Sequence, residues 1–338
     1  MNPLGVSVVI CCYNSSLRLP ETIARLNNQI VPINIPWEVI VIDNASTDRT
    51  SEVAKNLWQG PEGVSFRIES EPNPGLMNAR KKGFESAKFD FINFIDDDNW
   101  VANNWVNKVY DKMLEYPEAG AIAGLSAPVF ESPPPYWFEK YKGWYAVGKL
   151  REGEGEMPEG QMLWGAGITV RRSAWFEITQ NSINPMLRGR EGKRLTSGED
   201  LEMCLMISKA GWKLYFIPDL LLHHYIPSTR LTWKYLCNLY RANGQCHLYL
   251  DFYQDPRIKN TDWKKGIFNE VNYIIRRPVR LVQALLYQRE DDPLLLRMER
   301  HIGALSERLR LLGNLERCFD AIGLQVKKLK DLKDRKNN

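Results

Sequence analysis

The sequence predicts a doubly wound α/β sheet followed by a helical C-terminal region, and three features carry that prediction. Apolar, β-branched runs of strand length alternate with helix-spaced stretches over residues 6–125. Two of those runs end directly in aspartates. From about residue 230 the apolar spacing is helical and the balance of charge reverses sign.

Val6–Cys12 reads as a central parallel strand, because so apolar a run has to be buried on both faces. Tyr13-Asn14-Ser15-Ser16 is a loop with capping residues, and Leu19, Ile23 and Leu26 then recur at helical spacing. Residues 38–42 form the second strand, with Asp43 at its carboxyl end, a loop over 44–48 and a helix through Val53 and Leu57. Residues 66–68 are a third, weaker strand. Asn73-Pro74-Gly75 turns into a helix whose Ala79, Gly83 and Ala87, four apart, permit close packing on a sheet. Residues 91–95 are the fourth strand, and Asp96-Asp97-Asp98 follows it directly.

Residues 128–165 break the pattern with Pro133-Pro134-Pro135, many aromatics and a Gly/Glu-rich turn at 152–160. A loop of that length and aromatic content is expected to form an ordered binding surface. Residues 167–170 are a further strand. Ser197-Gly198-Glu199-Asp200 caps a helix in which Leu201, Cys204, Leu205 and Ser208 share a face. Residues 213–217 are a strand expected to end at Pro218-Asp219. Residues 294–312 are amphipathic, and the charged tail from Lys327 is expected to fray.

The net charge of the 338 residues is +4, unevenly spread. Residues 1–228 carry 23 Lys+Arg against 28 Asp+Glu, and residues 229–338 carry 22 against 13. A basic C-terminal third points to an anionic membrane surface as partner, with solvated helix faces or a packing and oligomerisation arm as the competing readings. No nucleic-acid recognition motif accompanies it, so no nucleic-acid partner is expected. The six cysteines contain no C-x-x-C pair, which argues against a zinc site, and buried thiols suit a reducing compartment. No signal peptide opens the chain, and no apolar run reaches the roughly 18 residues needed to span a bilayer. The expectation is a cytoplasmic protein, attached peripherally if at all to the inner face of the membrane.

In open α/β sheets, ligands bind outside the carboxyl ends of the strands. Asp43 and Asp96-Asp97-Asp98 both fall at such ends, so one crevice gathers several like charges. A divalent cation supplies a reason for that crowding, since Mg²⁺ and Mn²⁺ take carboxylate and phosphate oxygens. The competing reading is a solvated turn, with Asp98 or Asn99 capping a helix over 103–114.

Taken in order, residues 8–14 (VVICCYN), residues 41–50 (VIDNASTDRT), Asn73-Pro74-Gly75 with Ala79-Arg80, residues 94–98 (FIDDD) and Gly198-Glu199-Asp200 resemble the signature of family-2 inverting glycosyltransferases with the GT-A fold. The resemblance covers roughly residues 5–245. It implies a GT-A, Rossmann-like and mostly parallel sheet over residues 1–228, with helices on both faces; the basic helical region over 229–338 matches no motif of the family and is read from its own charge and spacing. It implies transfer of a hexosyl group from a nucleotide-diphosphate sugar, UDP-linked, to a hydroxyl of a saccharide or lipid-linked acceptor. Asp43 would contact the base, Asp96 the ribose and Arg80 the nucleotide-sugar, with Tyr13, Asn14, Asn73, Gly75 and Asp97 completing that set. Asp98 would ligate Mn²⁺ or Mg²⁺, joined by His224 of Leu222-His223-His224-Tyr225. Asp200 would be the general base, with Glu199 the alternative.

A base opposite the leaving group is what an inverting displacement needs, and a helix start keeps a carboxylate ionised. Trp164 and Gly165 with Trp144 are placed on the acceptor side. The aromatic set Trp137, Trp144, Tyr145 and Trp164 suits sugar stacking or the core of a lid. Arg230 and Arg241 read as diphosphate ligands or as surface charge. Cys11-Cys12 where the family more often has Pro-Thr, and Lys81 after Arg80, depart from the pattern. A nucleotidyltransferase would want a Gly-rich basic loop after the first strand, which residues 12–16 lack. A non-catalytic carbohydrate-binding protein would have lost the acidic residues, which are all present.

Overall fold

A computed structural model describes residues 3–190, 196–255, 260–286 and 289–337. In chain order the elements are β1 (Val6–Cys12), α1 (Leu19–Asn27), β2 (Trp37–Asn44), α2 (Thr50–Leu57), β3 (Ser65–Glu71), α3 (Leu76–Ser86), β4 (Phe91–Asp96), β5 (Asn99–Val101), α4 (Trp105–Glu115) and β6 (Ala119–Phe130). There follow α5 (Phe138–Tyr141), a 3-10 turn at Lys142–Tyr145, β7 (Gly155–Glu156), β8 (Thr169–Arg171), α6 (Arg172–Gln180), α7 (Glu199–Lys209) and β9 (Lys213–Ile226). A second 3-10 turn at Ser228–Arg230 leads into α8 (Trp233–Gln254), α9 (Asn260–Ile275), α10 (Pro278–Leu286), α11 (Pro293–Leu311) and α12 (Leu315–Asn337).

The sheet order is β3-β2-β1-β4-β8-β6-β9-β5, with β7 also on β9. The β3-β2-β1-β4 half is wholly parallel, and β6 and β9 form the longest parallel ladder. β8 is antiparallel to both β4 and β6 and joins the two halves. The apolar runs explain this arrangement. Val6, Val8, Val9 and Ile10 of β1 and residues 39–42 of β2 are fully buried, as central strands between two helical layers must be. α3 lies close on that sheet because Gly83 has no side chain: a Cβ there would stand 2.7 Å from Val9 Cγ1.

Two expectations are corrected, and one strand, β6, was not read from the sequence. β9 does not end at Pro218-Asp219 but continues to Ile226. Its register on β6 jumps from Ile217 to Leu221 opposite Gly124–Leu125, so residues 218–220 bulge out and the ladder resumes. Gly124 makes the room, since a Cβ there would stand 1.8 Å from the Leu220 carbonyl oxygen. His223 and His224 therefore sit inside a strand, paired with Trp100 and Asn99 of β5. β6 itself is Ala/Gly-rich, which hid it from a search for β-branched runs. The tail from Lys327 does not fray through residue 337. It is the end of α12, whose Ile322, Leu329 and Leu332 are buried, while Lys328 donates to the Asn181 carbonyl (2.9 Å) and Lys336 pairs with Glu177 (2.7 Å). Asn338 lies outside the described residues.

The helices after β9 are not a loose appendage. α8 and α11 cross at a pair of glycines. A Cβ on Gly244 would meet the Arg300 carbonyl oxygen at 2.0 Å, and one on Gly303 would meet that of Arg241 at 2.0 Å. Backbone on both sides cannot yield, so Gly303→Val should destabilise the fold by about 2–3 kcal/mol. Gly313→Ala, where nothing lies within 4 Å, should stay within about 0.5 kcal/mol of wild type. Urea midpoints of the two variants test the crossing; equal midpoints would show that it carries no constraint.

Candidate active site

The carboxyl ends of β1 and β4 open into a cleft of about 380 Å³, roofed by residues 143–146 and 164–166 and closed on one side by α7 and α8. That volume suits a small-molecule site. Tyr13, Arg80, Asp96, Asp97, Asp98, Trp144, Trp164, Gly165, Glu199, Asp200 and His224 all line it. Asn14, Asp43, Asn73 and Gly75 do not. They belong to the loops behind it. The Asn14 Oδ1 accepts from Thr47 N–H (2.8 Å), and Asp43 accepts from Ser46 N–H (3.2 Å) and from the Ser51 hydroxyl. Asn44, buried and lining the cleft, donates to the Glu71 and Asn73 carbonyls (3.0 and 2.6 Å) and accepts from Gly75 N–H (2.9 Å). Gly75 has φ 135°, so the turn into α3 favours glycine.

The three aspartates point three ways. Asp97 is turned toward α1, where its carboxylate meets Arg18 Nη2 at 2.6 Å and its carbonyl accepts from the Thr22 hydroxyl at 2.9 Å. Asp98 accepts from Arg230 Nη1 at 2.8 Å and from Asn99 Nδ2 at 3.2 Å, and its Oδ1 stands 3.6 Å from His224 Nε2. Asp96, half-buried, ends β4 with its own N–H on the Asn99 side chain (3.1 Å). Neither Asp98 nor Asn99 caps α4, whose N-cap is Asn104, so the helix-cap reading of the cluster falls.

Their electrostatics differ accordingly. Burial pushes Asp96 up to about 7, with Asp98 adding to the effect and Arg80 opposing it. Burial also raises Asp97, again with Asp98, against the pull of Arg18. Burial would raise Asp98 too, but Arg230, His224, Arg190 and Arg18 outweigh it and hold its carboxyl below the ordinary range. Burial lowers His224, against the pull of Asp98, and so favours the neutral imidazole that ligates metals. A carboxylate kept ionised beside a neutral imidazole is a donor set that fits Mn²⁺ or Mg²⁺ completed by diphosphate oxygens. Among the described residues no group of three His, Cys, Asp or Glu gathers to hold a metal without such help.

The other flank is built on α7. Gly198, in the left-handed region at φ 97°, lets the chain enter the helix, and a Cβ there would stand 2.8 Å from Cys246 Cβ of α8. Asp200 accepts from Gly165 N–H (2.8 Å) and Leu201 N–H (2.9 Å). Arg80 is 2% exposed, its Nη1 lies 3.5 Å from Glu199 Oε1, and its Nε and Nη1 have no hydrogen-bond partner among the described residues. Gly165 has to be small, because a Cβ would come within 2.6 Å of Arg80 Nη2 and 3.2 Å of Asp200 Oδ2. Burial pushes Glu199 up to about 7, with Asp200 reinforcing and Arg80 opposing.

Of the aromatic set, Trp137 is core, 5.4 Å from Trp233, whereas Trp144 lies tilted against Tyr240, ring centroids 4.0 Å apart, at the cleft edge. Arg241 belongs to the helical packing through Glu299 (2.6 Å), not to the cleft. Sequence reasoning passed over Arg18, Asn44, Arg190 and Tyr235, which line the cleft. Arg190 donates to the Tyr235 hydroxyl (3.2 Å), and its loop is pinned to α3 by Leu76 N–H on Arg190 O and Met77 N–H on Arg188 O, both 3.1 Å. Asn44 lies inside the 41–50 motif without an assigned role, and Arg18, Arg190 and Tyr235 lie in none. The signal that could have found Arg18 and Arg190 is arithmetic: three adjacent buried carboxylates require cations from elsewhere.

Residues 7–177, just over half of the chain, match the family described as Glycosyl transferase family 2. The chain is 23% identical to the glucosyl-dolichyl phosphate glucuronosyltransferase of Haloferax volcanii, over 69% of this chain and 73% of that protein. It is 34% identical to the undecaprenyl-phosphate 4-deoxy-4-formamido-L-arabinose transferase of Pectobacterium carotovorum, over 28% of this chain and 29% of that protein. Among solved structures it superposes on S. aureus TarS 1-349 in complex with UDP-GlcNAc with a TM-score of 0.51, 15% identity, and coverage of 99% of this chain and 92% of that one. That likeness establishes a GT-A fold.

Glu202, fully buried two residues after Asp200, ties the Arg190 loop to α7. It accepts from Met186 N–H (2.9 Å), Leu187 N–H (2.7 Å) and the Tyr253 hydroxyl (2.8 Å). Glu202→Ala should cost about 1–3 kcal/mol by orphaning two backbone donors and should expose residues 186–190 to limited proteolysis. Glu202→Gln, which keeps one acceptor, should fall between. An alanine variant with an unchanged melting point and cleavage pattern would remove the anchor.

Proposed function

The chain belongs to glycosyl transferase family 2 and is a glycosyltransferase, and from that premise we propose that it transfers a sugar, with inversion, from a UDP-linked donor to a hydroxyl of a saccharide or lipid-linked acceptor. The observation that carries this reading is the pairing of two chemically opposite flanks in one cleft: Asp98 with His224 and Arg230 on one, Asp200 with Gly165 and Arg80 on the other.

On the donor flank, Asp98 and His224 would hold Mn²⁺ or Mg²⁺, which would supply electrophilic neutralisation of the leaving diphosphate. Arg230 and Arg190 add fixed positive charge where the departing group accumulates negative charge, and Arg80, between Asp96 and the Glu199–Asp200 pair, reaches that charge from the other flank. Asp96, near neutrality in its titration, hydrogen-bonds the ribose, and Asp97 holds α1 against the cluster through Arg18. Asp43, behind the cleft wall, shapes the base end of the donor site through the loop it holds by Ser46 and Ser51. Tyr13 borders the same flank, and Asn14, Asn73 and Gly75 support its loops through Thr47 and Asn44.

On the acceptor flank, Asp200 is the base. The Gly165 and Leu201 N–H groups hold its carboxylate in place at the start of α7. The acceptor oxygen attacks the anomeric carbon on the face opposite the diphosphate. The bond to the diphosphate oxygen breaks with its electron pair, and the acceptor proton passes to Asp200. Glu199, neutral or paired with Arg80, positions that arginine and is the alternative base. Trp164 and Trp144 offer ring faces to the apolar faces of the sugars.

The donor assignment is supported by the TarS fragment, described in complex with UDP-GlcNAc. The acceptor class is supported by the names of the Haloferax and Pectobacterium proteins, which carry dolichyl phosphate and undecaprenyl phosphate.

A screen of nucleotide sugars, with Mn²⁺ or with a chelator, should give release of nucleoside diphosphate from one UDP-sugar, lost on chelation, and a product of inverted anomeric configuration by NMR. Release from no donor, or a retained configuration, would refute the reading. Asp200→Asn should lower transfer by about 10²–10⁴-fold with donor affinity intact; equal loss of both would take the base role from Asp200.

A further inference from the structure

The C-terminal helices carry an apolar strip that no described part of the protein covers. α9 ends at Ile275 and α10 begins at Pro278, forming an elbow. Along its outer side lie Ile275, Val279, Val282, Leu285 and Leu286, each between 53 and 69% exposed. Positions 279, 282 and 286 recur at i, i+3 and i+7, so they form one stripe of α10. The opposite face of the same helix is already used: Ala284 is fully buried and Leu281 packs into the core cluster shared with α8 and α11. α10 is therefore apolar on both sides, and only one side has a partner.

The charges along the strip are predominantly positive, with Asp262 at the start of α9 and Glu290-Asp291-Asp292 beyond the end of α10. Residues 263–289 contain Lys264, Lys265, Arg276, Arg277, Arg280 and Arg289, against the single acid Glu270. Glu270 is bound to His301. Arg280 is spent on Asp292, and Arg277 lies 3.8 Å from the Tyr273 ring centroid. Lys264, Lys265 and Arg276 are exposed and have no ion pair among the described residues. Phe268, 67% exposed, stands one turn beyond Lys264 and Lys265.

An exposed apolar stripe flanked by free cations is the composition of a helix that lies in a lipid interface. A second copy of the chain would present the same positive charge to itself, which disfavours a symmetric pairing through this face. We propose that the α9–α10 elbow docks on an anionic lipid bilayer, with Val279, Val282, Leu285 and Leu286 entering the acyl boundary and Lys264, Lys265 and Arg276 meeting the headgroups. None of the described helices is long and apolar enough to cross a membrane, so the contact is peripheral. The proposal goes beyond the transfer reaction and needs no nucleotide, metal or acceptor.

The full chain should co-sediment with phosphatidylglycerol-containing vesicles at low salt about tenfold or more better than with phosphatidylcholine vesicles, and raised salt should reverse this. The charge-reversal variant Lys264→Glu/Lys265→Glu/Arg276→Glu should lose the anionic preference. Val282→Asp/Leu285→Asp should lose the remaining binding. Both should keep wild-type circular dichroism and wild-type UDP-sugar affinity, since none of these residues lines the cleft. Equal binding to both vesicle types, or binding unchanged in either variant, would overturn the proposal. So would an absence of vesicle binding together with a concentration-dependent dimer abolished by Val282→Asp/Leu285→Asp, which would make the strip a contact between copies.

Discussion

Three carboxylates at the end of one buried strand cannot all stay ionised unless cations are brought to them. The fold answers with arginines from separate places in the chain: Arg18 before α1, Arg80 on α3, Arg190 in the loop before α7, and Arg230 after β9. Each takes a different share. Arg18 holds Asp97, Arg230 holds Asp98, and Arg80 lies between Asp96 and the Glu199–Asp200 pair, drawing on the charge of all three. The consequence is a graded set of acids within a single tripeptide: one kept ionised, one near neutrality and one turned away into structure.

That distribution also explains why the cleft extends past the sheet. Arg230 follows β9, and Tyr235 and Leu239 of α8 line the same cavity. The α8–α11 crossing at Gly244 and Gly303 fixes α8, and α8 in turn packs against the Gly198 turn that presents Asp200. Residues after 228 therefore wall the site as well as extending the chain. The boundary between sheet and helices is one of secondary structure; it does not divide the chemistry.

Much of this was legible in the sequence, and the physics says which parts. The runs 6–12, 38–42 and 91–95 have to be central strands because they offer no polar face, so their carboxyl ends and the acids on them could be placed. Gly83 was legible as one of three small residues four apart on a helix face, whereas Gly165 was placed only through the family resemblance and its need to be small shows only in the structure. β6 was not, since Ala and Gly carry no strand signature, and its place follows from pairing with β8 and β9. The bulge at residues 218–220 was hidden because Pro218-Asp219 reads as a stop, whereas Gly124 on the facing strand lets the chain bulge and resume. That resumption sets His224 opposite Asn99, beside Asp98. Arg18 and Arg190 were illegible because long-range charge compensation leaves no local pattern.

The account rests on the claim that the two flanks of the cleft do separate work. Calorimetric titration of the UDP-sugar donor, with Mn²⁺, into Asp98→Ala and Asp200→Asn tests it directly. Loss of donor binding in the first and near wild-type binding in the second is the predicted result. Donor binding that survives Asp98→Ala unchanged, or falls equally in both variants, would contradict it.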